Sequence, residues 1–289
     1  MKITFLASEF GDIRINQAEK YNAEFTKKTG VSYVFENTSR SIDLIFKIFD
    51  NNNLDFIKDT DVLIHVTQSP TYNIPNDASI IQNHFGIRKD SMCITINQGC
   101  SGFVQALGIA NSLIQTYSYK KVLILTNDHY RASIDKNDRS TDALFSDCAT
   151  LTLIEPDDSY KISSFVNYTD GSGSDFIIKD IKSSLIKMNG LKVYNFTKKI
   201  VINDLLFKYV DKDSIDDSEF YIHQASSFVL EEIYNVLPKS HCFSNLDKYG
   251  NTISSTIPLL LKEHEMSKRY VYFIGFGVGL SVSIIKFEK

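Results

Sequence analysis

Three short segments of this 289-residue chain carry side chains able to do chemistry, and each lies where a strand or turn gives way to a helix. The first runs from Ile94 to Phe103 through Gln98-Gly99-Cys100-Ser101-Gly102. A thiol at the first turn of a helix faces unpaired backbone N–H groups and the positive end of the helix dipole, and both favour the thiolate. Gly99 and Gly102 are expected to leave the sulfur unshielded. The second segment, Phe220-Tyr221-Ile222-His223-Gln224-Ala225-Ser226, reads as a strand ending on a His before a helix begins near Ser226 or Ser227. Such a His points into the crevice where α/β sheets bind ligands. The third, Asn245 to Thr252, is a turn leading into a helix from Ile253 to Lys262. Taken singly, a Cys is more often a packing residue, a His a satisfied core group, and Gly-Asn only a turn. Together they compose a Cys-His-Asn site of Cys100, His223 and Asn251.

The elements that must position them repeat. Phe103, Ala106, Leu107, Ala110, Leu113 and Ile114 recur at helical spacing, so the helix after Cys100 is buried on one face. A strand at Asp61 to Val66, the Cys100 turn and helix, and a strand at Lys121 to Leu125 form one series. Glu219 to His223, the Asn251 turn and its helix with Ile257, Leu260 and Leu261, and Tyr270 to Ile274 form a second. Cys100 and Asn251 occupy equivalent places in the two copies. Tyr160 to Tyr194 joins the halves and puts the boundary near Asp157, giving residues 1–157 with the nucleophile and 158–289 with His and Asn.

Composition narrows the classes of function. A net charge of −4 with dispersed Lys and Arg offers no stripe for nucleic acid and no basic amphipathic helix for a membrane. No apolar run approaches bilayer length, and Met1 to Leu6 resembles a first strand rather than a secretory signal, so a cytoplasmic location is expected. Cys93, Cys100, Cys148 and Cys242 have no metal-ligand spacing, and all but Cys100 read as structural. Gly171-Ser172-Gly173-Ser174 lacks the Lys and helix of a phosphate loop.

The motifs in order resemble those of β-ketoacyl-acyl-carrier-protein synthase III, in the thiolase superfamily. They are Gly99-Cys100-Ser101-Gly102-Phe103, His223-Gln224-Ala225, Tyr249-Gly250-Asn251-Thr252 with Ser254, Ser255 and Pro258, and Gly275-Phe276-Gly277-Val278-Gly279-Leu280 before the last strand. Phe145 to Ala149, Asp170 to Gly173 and Met188 to Gly190 match more weakly. The resemblance implies an α/β thiolase-like fold of two duplicated halves in five αβαβα layers, a homodimer, and no metal or redox cofactor. It also implies that Cys100 takes an acyl group, that the N–H groups of Cys100 and Val278, in the Gly277 to Gly279 turn, receive the oxyanion, and that His223 and Asn251 stabilise the enolate from a decarboxylating malonyl thioester. Substrates would be thioesters of CoA or acyl carrier protein. Val278 stands where thiolase has a second Cys, and no catalytic Glu of the HMG-CoA synthase kind is evident.

Departures from the pattern suggest a specialised pathway. The family's Thr-Gly-Ile-Arg reads Thr29-Gly30-Val31-Ser32, and the chain has no Trp, so the Trp and Arg pair that clamps the CoA adenine is expected to be missing. Ser226 replaces an Asn, and Phe228 an Arg that contacts the carrier protein. The stretch from Gly173 to Met188 is short, with Phe176, Met188, Gly190, Tyr194 and Ser226 as candidates for the substrate pocket. Besides condensation, the residues admit acyl transfer from Cys100 to an alcohol or amine, or a non-catalytic partner subunit.

Overall fold

The computed structural model describes residues 1–180 and 184–289. Five strands, β1 (Lys2–Phe10), β2 (Val62–Val66), β3 (Met92–Ile96), β4 (Val122–Asp128) and β5 (Cys148–Glu155), form one sheet in the order β1-β5-β4-β2-β3. Four more, β6 (Lys161–Thr169), β7 (Ser218–Ile222), β8 (Tyr270–Gly277) and β9 (Ser281–Glu288), form a second in the order β7-β8-β9-β6. Cys242 adds a parallel bridge beside Phe220 at the β7 edge. Read from β6, the second sheet therefore repeats the first, with antiparallel β6–β9 and β9–β8 and parallel β8–β7 mirroring β1–β5, β5–β4 and β4–β2. The stretch from Tyr160 to Tyr194 is thus more than a connector, because β6 at its start is an edge strand of the second sheet.

The continuous apolar runs of β2, β4 and β7 are explained by their positions, since they are covered on both faces and wholly buried. Between the sheets lie the helices Gly102–Tyr117 and Thr256–Glu263. Phe103, Leu107, Ile257 and Leu260 pack there against Val62 and Ile64 of one sheet and Val271 and Phe273 of the other. The outer face of the first sheet is covered by Ser41–Asp50 and Asp77–His84, through Ile42, Ile45, Ile48, Ala78 and Ile81 against Leu63, Leu123 and Leu151. Ser227–Tyr234 and the helical stretch from Gly190 to Tyr209 cover the outer face of the second, on Phe220, Tyr272 and Ile284. The result is a five-layer αβαβα arrangement.

Two boundaries differ from the sequence reading. The helix expected from Ile253 begins at Thr256, after a 3₁₀ turn over Ile253–Ser255, and Gly275 and Gly277 lie within β8, leaving the turn to Val278, Gly279 and Leu280.

Candidate active site

Cys100 sits in a 3₁₀ turn, Gly99–Ser101, at the mouth of the central helix Gly102–Tyr117. The surrounding glycines are there for close approach. A Cβ on Gly102 would stand 2.4 Å from Val66 Cγ1, and one on Gly99, whose φ is +49°, would stand 2.4 Å from Gln68 Oε1. On the opposite side, a Cβ on Gly277 would stand 2.9 Å from Cys100 Sγ. Neighbours thus fill the space the glycines leave, Gly277 lying against the sulfur itself, and Cys100 is only 8% exposed.

Burial also reverses the expected ionisation. The thiol is pushed up to about 12 by desolvation first and by the negative charge of Asp128 second, against hydrogen bonding from the backbone of Val278 and of Cys100 itself. A helix terminus is worth about 1 kcal/mol to an exposed charge. Removing an ion from water outweighs it. Burial thus favours the thiol over the thiolate in the free protein.

Ser101 ties this turn to the glycine turn: its hydroxyl meets Ser281 Oγ at 2.8 Å, and Ser281 Oγ donates to the Val278 carbonyl at 2.8 Å. Val278 is thereby fixed relative to Cys100. His223 follows β7, with its backbone N–H bonded to the Ile274 carbonyl at 2.9 Å. The ring is 1% exposed and meets the Phe276 ring edge-on at 5.5 Å. Desolvation lowers it to about 3, the Ile253 backbone acting in the opposite sense, so the imidazole is neutral across the physiological range. Its Nδ1 has no hydrogen-bond partner.

Asn251 is set by hydrogen bonds. Its Oδ1 accepts from the Ile253 N–H at 3.0 Å and its Nδ2 donates to the Ala225 carbonyl at 3.4 Å, leaving the second amide hydrogen free to be directed elsewhere. To offer that N–H, Ile253 takes φ +52°, a conformation a β-branched residue adopts only under constraint. Gln224 aligns the His and Asn motifs: its Oε1 accepts from the N–H groups of Asn245 and Leu246 at 2.9 and 3.0 Å, and its Nε2 donates to Asn245 Oδ1 at 2.7 Å.

Cys100, His223 and Asn251 converge on one cavity of about 620 Å³, with Phe145, Ile177, Val193, Phe276 and Gly277 among its apolar walls. Met188, Gly190, Tyr194 and Ser226 line it as the sequence suggested. Phe176 does not. It packs with the outer core beside Leu280, its ring 4.7 Å from Lys192 Nζ. Val278 lines a smaller polar cavity of about 150 Å³ with Gln68 and Tyr130, and Gly279 lines neither. Residues 181–183, within the short segment before Met188, lie outside the described residues.

The Trp of the family's Trp and Arg pair is absent, since the chain has none. Phe25 and Arg139 both line the large cavity, and Tyr21 stands between them in contact, its ring 5.0 Å from Phe25 and 5.7 Å from the Arg139 guanidinium carbon. No local signal in the sequence joins a residue at 25 to one at 139. Phe228 is 59% exposed at the same wall. Among the described residues there is no His, Cys, Asp and Glu cluster fit for a metal, and the cysteines are free.

The profiles of 3-oxoacyl-[acyl-carrier-protein] synthase III match residues 94–171, and those of its C-terminal domain residues 210–288. The β-ketoacyl-[acyl-carrier-protein] synthase III of Acholeplasma laidlawii is 33% identical over 255 residues, which are 83% of this chain and 81% of that protein. This chain belongs to the β-ketoacyl-acyl-carrier-protein synthase III family. The synthase III of Clostridium acetobutylicum is 32% identical over 78% of the chain and 75% of its own length. A crystal structure of a 3-oxoacyl-(acyl-carrier protein) synthase from Burkholderia xenovorans superposes with a TM-score of 0.86 at 28% identity, covering 99% of this chain and 93% of that one. A further synthase III structure reaches 0.88 at 25% identity over 99% of both. These likenesses agree with the five-layer, thiolase-like fold.

Proposed function

We propose that this chain is a 3-oxoacyl-thioester synthase that loads an acyl primer on Cys100 and condenses it with a malonyl thioester. The convergence of Cys100, His223 and Asn251 on one apolar cavity carries the reading. In the first half-reaction the Cys100 sulfur attacks the acyl carbonyl, the new carbon–sulfur bond replaces that of the donor, and the donor thiol leaves with the proton. The oxyanion formed on the way is received by the backbone N–H groups of Cys100 and Val278, whose hydrogen bonding toward the sulfur already opposes its burial. A single such donor is worth about 3 kcal/mol of transition-state stabilisation.

In the second half-reaction the malonyl group loses carbon dioxide, and the electron pair released forms an enolate. Its carbon attacks the acyl carbonyl, the bond to Cys100 breaks, the released sulfur takes up a proton from solvent, and a 3-oxoacyl thioester departs. The free Asn251 amide hydrogen and the N–H of His223 serve the enolate oxygen. A His held near 3 is suited to this, since it donates a hydrogen bond from the neutral ring without giving up its proton to the enolate outright.

We further propose that the donors are thioesters of CoA or of acyl carrier protein, and that the enzyme works in the cytoplasm as a homodimer paired through the first sheet. The exposed Met92 on edge strand β3 supports that pairing, and no helix among the described residues is long and apolar enough to cross a membrane. Ser226 and Phe228 at the cavity wall support a specialised primer or carrier. The test is the mass of the intact protein after exposure to short and medium acyl-CoA and acyl-carrier-protein donors, followed by malonyl thioester. A Cys100-dependent adduct that is discharged with release of carbon dioxide is expected. Discharge to an alcohol or amine without malonyl would replace condensation by acyl transfer, and no adduct with any donor would point to a non-catalytic subunit.

A further inference from the structure

Asp128 ends β4 beneath the site, is 1% exposed, and enters none of the steps above. Its Oδ1 accepts from the Gln68 N–H at 2.6 Å, and its Oδ2 accepts from the Ser254 hydroxyl at 2.5 Å and the Ser254 N–H at 3.3 Å. The two partners belong to different turns of the site. Gln68 abuts the nucleophile turn twice, because its Oε1 stands against Gly99 and its Nε2 donates to Asn97 Oδ1 at 3.0 Å. Ser254 follows Ile253, the residue whose N–H fixes Asn251 Oδ1. One buried carboxylate thus spans the two halves between the Cys100 turn and the Asn251 turn. We propose that Asp128 is a positioning residue of this enzyme, holding those two turns in register across the interface of the halves.

Its charge reaches the sulfur as well. Asp128 opposes formation of the Cys100 thiolate, and desolvation raises Asp128 itself to about 7, so the effect grows as the carboxyl ionises above neutral pH. The other ionisable groups around this pair are Tyr130, whose hydroxyl donates to Gln68 Oε1, and Asp147, which lies 3.4 Å from His129 and acts on Asp128 as a like charge. Neither spans the two turns as Asp128 does.

The proposal rests on Cys100 being the nucleophile, and its test is arranged to fail separately from that of the reaction. Cys100 alkylation by iodoacetamide, followed by peptide mass in the full-length chain between pH 7 and 11, needs no acyl substrate. Asp128→Asn is expected to move the Cys100 profile to lower pH by about one unit, a tenfold gain in thiolate at fixed pH. Ser254→Ala keeps the charge and both N–H donors to Asp128 and removes only the hydroxyl. It is expected to leave the alkylation profile in place and slow condensation about tenfold from preloaded acyl enzyme, with the KM for the acyl donor unchanged. Melting curves accompany both, so that a variant that folds as wild type yet shows its effect separates positioning from stability. An Asp128→Asn profile that overlays wild type, or a Ser254→Ala enzyme that condenses at the wild-type rate, would overturn the proposal. Should Asp128→Asn fail to fold, Ser254→Ala alone decides it.

Discussion

The two halves of the molecule use the same device, a 3₁₀ turn running into a buried central helix, and put different groups on it. In the first half the turn presents Cys100, whose sulfur is packed against Gly277 and has hydrogen bonding from the backbone of Val278 and of Cys100 itself. In the second Asn251 stands just ahead of the turn, and two hydrogen bonds hold the amide, one of them from a residue at φ +52°. The difference follows from the work proposed for each. A nucleophile has to form and break a covalent bond, so its reacting atom is held by close packing and by backbone donors that can pass to the oxyanion. An amide that stabilises passing charge does so best when its spare hydrogen is aimed in advance.

The comparison can be broken outright at Cys100. Cys100→Ala is expected to abolish the acyl adduct altogether, read as intact mass, and an adduct that survives would place the nucleophile elsewhere. Asn251→Ala is expected to load the primer normally and to lose condensation by about 10²- to 10³-fold, as removal of an oxyanion donor does. Condensation at the wild-type rate would remove Asn251 from the enolate. Gly277→Ala sharpens the contrast, because its methyl group would collide with the sulfur and move it by a fraction of an ångström. Loading should fall about 10²-fold with little change in the helix content of the protein. Equal loading by this variant would mean that packing does not place the sulfur.

A further expected effect is on stability, at His223. Its folded value of about 3 lies below the unfolded value of about 6.5, so the unfolded chain takes up a proton that the folded chain refuses. The stability this neutral ring allows is therefore complete above about pH 6.5 and is lost as pH falls toward 3. His223→Gln removes the linkage. Wild type should lose on the order of 3 kcal/mol relative to the variant between pH 7 and 4, measured by denaturant melts. Parallel curves would show that the ring is not buried in its neutral form.

Much of the site was legible in the chain because its turns are written in local chemistry. Gly99-Cys100-Ser101-Gly102, the His that closes β7 and Gly250-Asn251 each combine a special backbone position with a reactive side chain within a few residues. The repeat was legible for the same reason, since a strand, a turn into an apolar helix and a second strand follow one another in the same order in both halves. What could not be read were relations across the fold. Phe176 is as apolar as Met188, and only packing sends one to the outer core and the other to the cavity. Phe25 and Arg139 meet one cavity wall from opposite ends of the first half. Ile253 carries no sequence signal for a left-handed conformation, and the surrounding structure imposes it.

By itself the sequence carried the duplicated series of strands and helices and singled out Cys100, His223 and Asn251 as candidates through residue type and spacing, and the resemblance of its motifs pointed to the fold class. The tertiary structure alone decided their ionisation and their surroundings. A helix terminus argues for a thiolate at Cys100, but burial and the charge of Asp128 favour the thiol, because desolvation and Coulomb energy depend on what is packed around a group and not on what precedes it in the chain.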